Sequence, residues 1–177
     1  MKMFTKIIAY STLFLANTIQ ANKPFPEFSL PDLANPEQLR SLSDFPNEPF
    51  LLNVWATWCT YCMQEYPLLL DLAKNKKVKI IGLNILDDRD KALAELEKIG
   101  SPFIFNLYSK DKSPLYIALD IHRAPVTYLI DSERNIHYVR DGMLTQKDIE
   151  QKILPKLEKL QAVKNEGNFT NALFPNP

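Results

Sequence analysis

The chain has 177 residues, of which 46% are hydrophobic, and its 21 basic residues balance its 21 acidic ones. This length fits one domain with modest extensions, and this hydrophobic share suffices for an ordinary core. A chain without a basic surplus is not typical of a nucleic-acid-binding protein. Only four glycines are present, and the glycine patterns of phosphate-binding and dinucleotide-binding loops do not occur, which argues against nucleotide binding.

Residues 1–21 have the layout of a secretory signal: Lys2 and Lys6 precede a mainly apolar run, and small residues follow it as far as Ala21. The run is short for a membrane-spanning helix, which needs roughly 20 residues. When the run is counted from Met3, however, it is longer, so an uncleaved membrane anchor is a second alternative. A buried or merely flexible N-terminus is a third. A signal or an anchor would place the following domain outside the cytoplasm, with the positive end inside.

The pattern of residues 22–160 predicts one α/β domain with a mixed central sheet flanked by helices. Residues 22–49 are expected to form an extended lead-in with short strands. Strand–helix alternation favours parallel pairing in the first half, and a turn at 131–135 predicts an antiparallel hairpin. The strands are predicted at 50–56, 78–86, 103–107, 126–130 and 136–140, and the helices at 60–75, 88–99, 113–119 and 145–160. Residues 161–177 lose the periodicity, which predicts a loosely structured tail.

Cys59 and Cys62, the only two cysteines, stand where a buried strand gives way to a helix. A disulfide scaffold needs more cysteines at wider spacing, and a loop this short contributes little chain-entropy stabilisation. A zinc site would need two further ligands, but His122 and His137 lie far along the chain without paired spacing. The spacing therefore predicts thiol–disulfide exchange, with a structural disulfide as the other alternative; no cofactor and no metal are expected.

Cys59 would lie at or just before the first turn of the helix, where free N–H groups and the helix dipole favour a thiolate. Thiols in such places commonly have pKa values of roughly 3.5–7.5. We expect Cys59 to attack a substrate disulfide and Cys62, one turn deeper and more buried, to resolve the mixed disulfide.

Two neighbours of the pair are candidate site residues. Trp58 is expected to shield one side of the thiol and to offer a docking surface, with core packing as the alternative; Trp55, inside the strand, is expected in the core. Glu65 lies one turn beyond Cys62 on the same helix face, where a carboxylate could accept or deliver the proton of that thiol. The alternative for Glu65 is a solvated surface position.

Pro125 opens a later strand, a position that tolerates proline. We predict a cis bond between Ala124 and Pro125, opposite the cysteines, with an ordinary trans turn as the alternative. Asp87 and Asp88 follow the second buried strand and are interpreted as caps of the next helix, or else as a functional acidic patch.

Residues 51–65, which include the Trp-Cys-Thr-Tyr-Cys segment, resemble the membrane-tethered thioredoxin-like proteins of bacterial cytochrome c maturation, the CcmG or DsbE group. The resemblance covers roughly residues 24–158. Besides residues 51–65, its motifs lie in residues 28–33, 35–38, 82–84, 87–89 and 124–131. It implies a thioredoxin-like fold.

The resemblance also implies a periplasmic thiol:disulfide oxidoreductase that reduces the heme-binding cysteines of apocytochrome c, directly or through a maturation thiol protein. Such proteins are re-reduced by a membrane electron donor of the DsbD or CcdA type. By this resemblance Cys59 attacks, Cys62 resolves, Pro125 is the cis-proline and Glu65 is the acidic helper.

The chain departs from the family pattern beside the proline. The family has glycine before it and an acidic residue after it, whereas Ala124 and Val126 stand in those places here; Thr60 stands where proline is common. Two alternatives therefore stay open: a general envelope disulfide reductase or isomerase with broader clients, and a redox-inactive thioredoxin-like interaction module.

Overall fold

The computed structural model describes residues 23–173, with side chains as far as residue 163. The predicted signal or anchor at residues 1–21 lies outside the described residues, as do residues 174–177. Between residues 23 and 173, no helix is both long and apolar enough to cross a membrane.

A six-stranded mixed sheet forms the centre of the domain, in the strand order β1-β8-β7-β4-β5-β6. Strand β4 pairs in parallel with β5, which pairs in parallel with β6, while β7 is antiparallel to both β4 and β8. The strands β2 and β3 form a separate antiparallel pair. The bounds are β1 Lys23–Pro24, β2 Leu30–Pro31, β3 Leu39–Arg40, β4 Phe50–Trp55, β5 Ile80–Ile85, β6 Asn106–Ser109, β7 Val126–Ile130 and β8 Asn135–Asp141.

Helices cover both faces of this sheet. The helices are α1 Thr60–Lys74, α2 Arg89–Ile99, α3 Pro114–Ala118, α4 Gln146–Asp148 and α5 Leu154–Leu173, with a 3-10 turn at Leu42–Asp44. A π-helical turn, Ile149–Ile153, joins α4 to α5. One face packs against α1, α2 and the C-terminal helices, and the other against the lead-in segment and α3.

The alternation of side chains along each strand produces the two apolar layers. In β4, for example, Leu51 belongs to the cluster under α1, and Leu52 belongs to the cluster on the opposite face. The same division separates Ile80 from Ile81 in β5. Every residue of the three central strands, β4, β5 and β7, is buried. This burial explains why these strands are nearly continuous apolar runs in the sequence.

The predicted α/β class, the parallel first half and the antiparallel hairpin are confirmed. Two boundaries differ by more than two residues. Strand β6 begins at Asn106 and not at 103; Phe103 precedes the strand and is a core side chain that stacks on Trp55, with ring centroids 5.7 Å apart. The last helix continues to Leu173, beyond residue 160 where the periodicity ends, since losing an apolar stripe does not interrupt the backbone hydrogen bonds of a helix.

Gly82 leaves space for a buried polar contact between β4 and β6. The indole Nε1 of Trp55 donates to Oδ1 of Asn106 at 2.9 Å. Gly82 lies beside both, and a Cβ at this position would come within 1.7 Å of that oxygen and 3.0 Å of the indole nitrogen. Only glycine permits this close approach in the middle of a strand.

We expect Gly82→Ala to lower the free energy of unfolding by about 1–3 kcal/mol, as overpacking of a core does. Urea denaturation followed by circular dichroism would measure the change. The matched control is Asn106→Ala, which removes the clashing oxygen. The double variant should lose less stability than the sum of the two single changes, and simple additivity would contradict this account of Gly82.

Candidate active site

Cys59 and Cys62 form a disulfide between the end of β4 and the start of α1, with their Cα atoms 5.3 Å apart. Cys59 is the N-cap of α1, and its Sγ accepts a hydrogen bond from the Cys62 N–H at 3.1 Å. The sulfur of Cys59 therefore lies at the positive end of the helix dipole, where negative charge on sulfur is stabilised.

The disulfide is buried, whereas the two aromatic residues next to it in the chain are exposed. Cys59 is 5% exposed and Cys62 is 1% exposed, in the expected order. Trp58 and Tyr61 are 54% and 62% exposed. Core packing of Trp58 is therefore wrong, whereas Trp55 is buried as expected.

Pro125 lies at the same edge of the sheet as the cysteines. The peptide bond between Ala124 and Pro125 is cis, as predicted. Because β7 runs antiparallel to β4 with Val126 opposite Val54, the residue before β7 lies where β4 ends. Ala124 packs against the apolar cluster that contains Cys59 and Cys62, and Gly142 N–H donates to the Pro125 carbonyl at 2.9 Å.

Glu65 is buried beneath this edge, so the solvated alternative is wrong. Its Oε1 accepts from Asn53 Nδ2 at 2.8 Å, and its Oε2 accepts from the Leu144 N–H at 2.5 Å. Asn53 Nδ2 also donates to Thr127 Oγ1 at 3.0 Å. The carboxylate thus joins α1, β4, β7 and the segment before α4. The position of Glu65 is predictable from the sequence, whereas these partners are not, because they are distant along the chain.

Burial raises the pKa of Glu65 from 4.5 to about 7, and the Leu144 N–H, the Asn53 amide and the charge of Arg140 oppose that shift only in part. A carboxyl group with a pKa near neutrality can both take up and release a proton under ordinary conditions. Glu65 lies one helical turn after Cys62 on α1, and both side chains are buried.

A second buried carboxylate, which the sequence interpretation placed only as a cap or an acidic patch, contacts the segment leading to Cys59. Asp87 accepts hydrogen bonds from both the backbone N–H and the hydroxyl of Thr57, at 2.6 and 2.7 Å. Asp88 is the predicted cap, since its carboxylate accepts from the Lys91 N–H at the start of α2. The sequence signal for Asp87 is its place after a strand parallel to β4, because the ends of such strands meet.

Val126, which stands where the resemblance implies an acidic residue after Pro125, has a carboxylate opposite it on the neighbouring strand. Val126 is buried and lies opposite Asp141 of β8. Asp141 Oδ2 is 2.6 Å from Nη2 of Arg123. The carboxylate opposite Val126 in the β7–β8 register is therefore on the neighbouring strand, where it forms a solvent-exposed ion pair with Arg123.

Glu65 should make stability depend on pH. Because its folded pKa lies above its ordinary value, the folded state keeps a proton that the unfolded chain releases, so this contribution is full below about pH 4.5 and is lost as the pH rises through about 7. Between about pH 5 and pH 8, we expect the unfolding free energy of the wild type to fall about 2–3 kcal/mol more than that of Glu65→Gln. Urea titrations at each pH measure this, and parallel profiles would refute the shift.

Comparison with known proteins identifies the family. The Redoxin family matches residues 20–169. The chain is 41% identical over 145 residues to the thiol:disulfide interchange protein DsbE of Vibrio cholerae, covering 82% of this chain and 78% of that protein. It is 38% identical over 138 residues to DsbE of Escherichia coli K12, covering 77% and 74%.

A solved structure shares the fold. The secreted thiol-disulfide isomerase from Corynebacterium glutamicum superposes with a TM-score of 0.66 at 24% identity, over 76% of this chain and 85% of that one. The disulfide at the start of α1, the sheet topology and the sequence matches lead to one conclusion. The chain belongs to the DsbE group of the redoxin family and is a thiol:disulfide oxidoreductase with a thioredoxin-like fold.

Proposed function

We propose that this oxidoreductase works in the cell envelope as a reductant of the heme-binding cysteines of apocytochrome c, directly or through a maturation thiol protein. The observation that carries the proposal is the match to proteins named DsbE over more than three quarters of the chain. The resemblance of residues 51–65 to the cytochrome c maturation group supports the choice of client.

Cys59 is the attacking thiol in this proposal. In the reduced protein, its thiolate attacks one sulfur of a client disulfide, so that a Cys59–client bond forms and the client S–S bond breaks. The client's first thiolate leaves and takes up a proton. The position of Cys59 at the N-cap of α1, with the Cys62 N–H directed at its sulfur, supports this role because the thiolate form is the nucleophile.

Cys62 completes the exchange. It loses its proton, attacks Sγ of Cys59 and releases the second client thiol, which restores the observed disulfide and leaves two electrons on the client. Glu65 is the group proposed to accept that proton, on the basis of its burial and its raised pKa. The oxidised protein then needs a membrane electron donor of the DsbD or CcdA type.

The N-terminal sequence supports the location. Lys2 and Lys6 followed by an apolar run are typical of an export signal or an N-terminal anchor. Either would deliver the domain to an oxidising compartment, where a reductant needs its own electron donor. Export therefore accords with a dedicated reducing function.

A general envelope reductase or isomerase is the second candidate, and the surroundings of Pro125 favour it. The family's acidic residue after the proline is replaced by Val126, and the carboxylate at this edge, Asp141, is paired with Arg123. A client surface selected by a free carboxylate would bind less well here. The redox-inactive module is set aside, because the chain is an oxidoreductase by its family.

Trapping identifies the client. In Cys62→Ser the resolving thiol is missing, so we expect mixed disulfides to accumulate at Cys59 of the full chain in its own cell envelope. Mass spectrometry of the trapped species should find an apocytochrome c or a maturation thiol protein. The matched control, Cys59→Ser, should trap few species and should not reduce insulin. Trapped species without any cytochrome or maturation factor would favour the broader alternative.

The state of residues 1–21 can be measured on the same preparation. If the segment is cleaved after Ala21, the intact mass should correspond to a protein that begins at Asn22. If the segment is an anchor, the protein should retain residues from Met1 onward and sediment with membranes. A full-length chain in the cytosolic fraction would contradict an envelope function. A Lys2→Glu, Lys6→Glu variant, which removes the positive end, should reduce export.

A further inference from the structure

The loop after β5 forms hydrogen bonds with the two residues that precede Cys59, the proposed attacking cysteine. Ala56, Thr57 and Trp58 connect the end of β4 to Cys59, and both Thr57 and Trp58 form hydrogen bonds with residues of the segment 86–87. The hydroxyl and N–H of Thr57 donate to the carboxylate of Asp87. The indole Nε1 of Trp58 donates to the carbonyl of Leu86 at 3.0 Å.

The carboxylate of Asp87 is saturated with donors. Its Oδ2 accepts from the Thr57 N–H at 2.6 Å and from Asn84 Nδ2 at 3.0 Å, and its Oδ1 accepts from the Thr57 hydroxyl at 2.7 Å and the Asp88 N–H at 2.9 Å. Bonds to an ionised acceptor are stronger than those between neutral groups. One side chain thus fixes the loop, the end of β5 and the segment before Cys59 relative to one another.

Leu86 is held in an unusual conformation beside this carboxylate. Its φ is 48°, in the left-handed region that non-glycine residues rarely adopt. The conformation persists because the flanking groups are fixed: the Leu86 N–H donates to Ser109, and the Asp87 carbonyl accepts from the Tyr108 hydroxyl at 2.9 Å. The Leu86 carbonyl accepts the hydrogen bond from the Trp58 indole. Its position is therefore determined by the loop and not by Trp58.

We propose that Asp87 is a positioning residue of the redox site. It does not touch the sulfurs; it holds Thr57 directly and, through the backbone of Leu86, the indole of Trp58. It thereby fixes the path by which a client disulfide reaches the recessed Cys59. Small displacements of reacting groups lower reaction rates strongly. Weakening the hydrogen bonds of the loop to Thr57 and Trp58 should therefore slow thiol–disulfide exchange even when the protein stays folded.

The inference rests on the proposed role of Cys59 as the attacking thiol, but not on the identity of the client. The test therefore uses insulin, which is unrelated to cytochromes, and the reduced full chain purified in detergent. The readouts are the second-order rate constant for insulin reduction, acrylamide quenching of tryptophan fluorescence and urea stability. Because Trp55 is buried, quenching reports the exposed Trp58.

Asp131 offers a matched control for the aspartate. It is 6% exposed against 9% for Asp87, and it accepts hydrogen bonds in the β7–β8 turn from the N–H of Asn135 and from His137. That turn lies at the opposite end of the sheet from the disulfide. Asp87→Ala and Asp131→Ala should both lose stability, and only Asp87→Ala should lower the rate constant, by about tenfold or more, and increase quenching.

A second matched pair of variants, at Thr57, tests the proposal even if Asp87→Ala does not fold. Thr57→Val keeps the shape but loses the hydroxyl bond to Asp87, whereas Thr57→Ser keeps the hydroxyl. We expect Thr57→Val to be slower than Thr57→Ser. Equal rates for the two Thr57 variants, or equal rates for the two aspartate variants, would overturn the positioning role alone. A wild type no faster than Cys59→Ser would overturn the attack by Cys59 as well.

Discussion

The site depends on the pairing of β4 with its two neighbours. Parallel pairing with β5 places the end of β5 beside the end of β4, and antiparallel pairing with β7 places the start of β7 there too. Three stretches that are distant along the chain, residues 57–62, 86–88 and 124–126, therefore meet at one edge of the sheet. The disulfide, the Asp87 loop and the cis-proline all follow from this arrangement of three strands.

Helix α1 adds the electrostatic part. Since β4 ends four residues before Cys59, the chain turns there and starts the helix with the sulfur as its cap. A side chain with a polar oxygen usually occupies such a position, and here a cysteine sulfur accepts the hydrogen bond instead. The same helix carries Cys62 and Glu65 inward, so the proposed nucleophile, the proposed resolving thiol and the carboxyl group lie on one rigid element.

The buried carboxyl group shows a balance between stability and chemistry. Removing a carboxylate from water is unfavourable, and hydrogen bonds from Asn53 and Leu144 offset that penalty only in part, because the pKa stays raised. Oδ1 of Asn53 has no hydrogen-bond partner among the described residues, a further local cost. Strongly perturbed pKa values of buried groups cluster at functional sites, which accords with the role proposed for Glu65.

Much was determined by the sequence alone, because it depends on local patterns. The apolar runs predicted β4, β5 and β7, the cysteine spacing at the start of a helix predicted the redox pair, and Pro125 in its context predicted the cis bond. The start of β6 and the end of α5 differ from the sequence prediction, because an apolar run does not show where strand pairing begins and a helix can continue after its apolar stripe ends. Only the tertiary structure decided that Glu65 is buried against Asn53 and Leu144, and that Asp87 holds Thr57. These contacts join residues 12 to 79 positions apart, and no local pattern encodes partners that meet only when the strands pair.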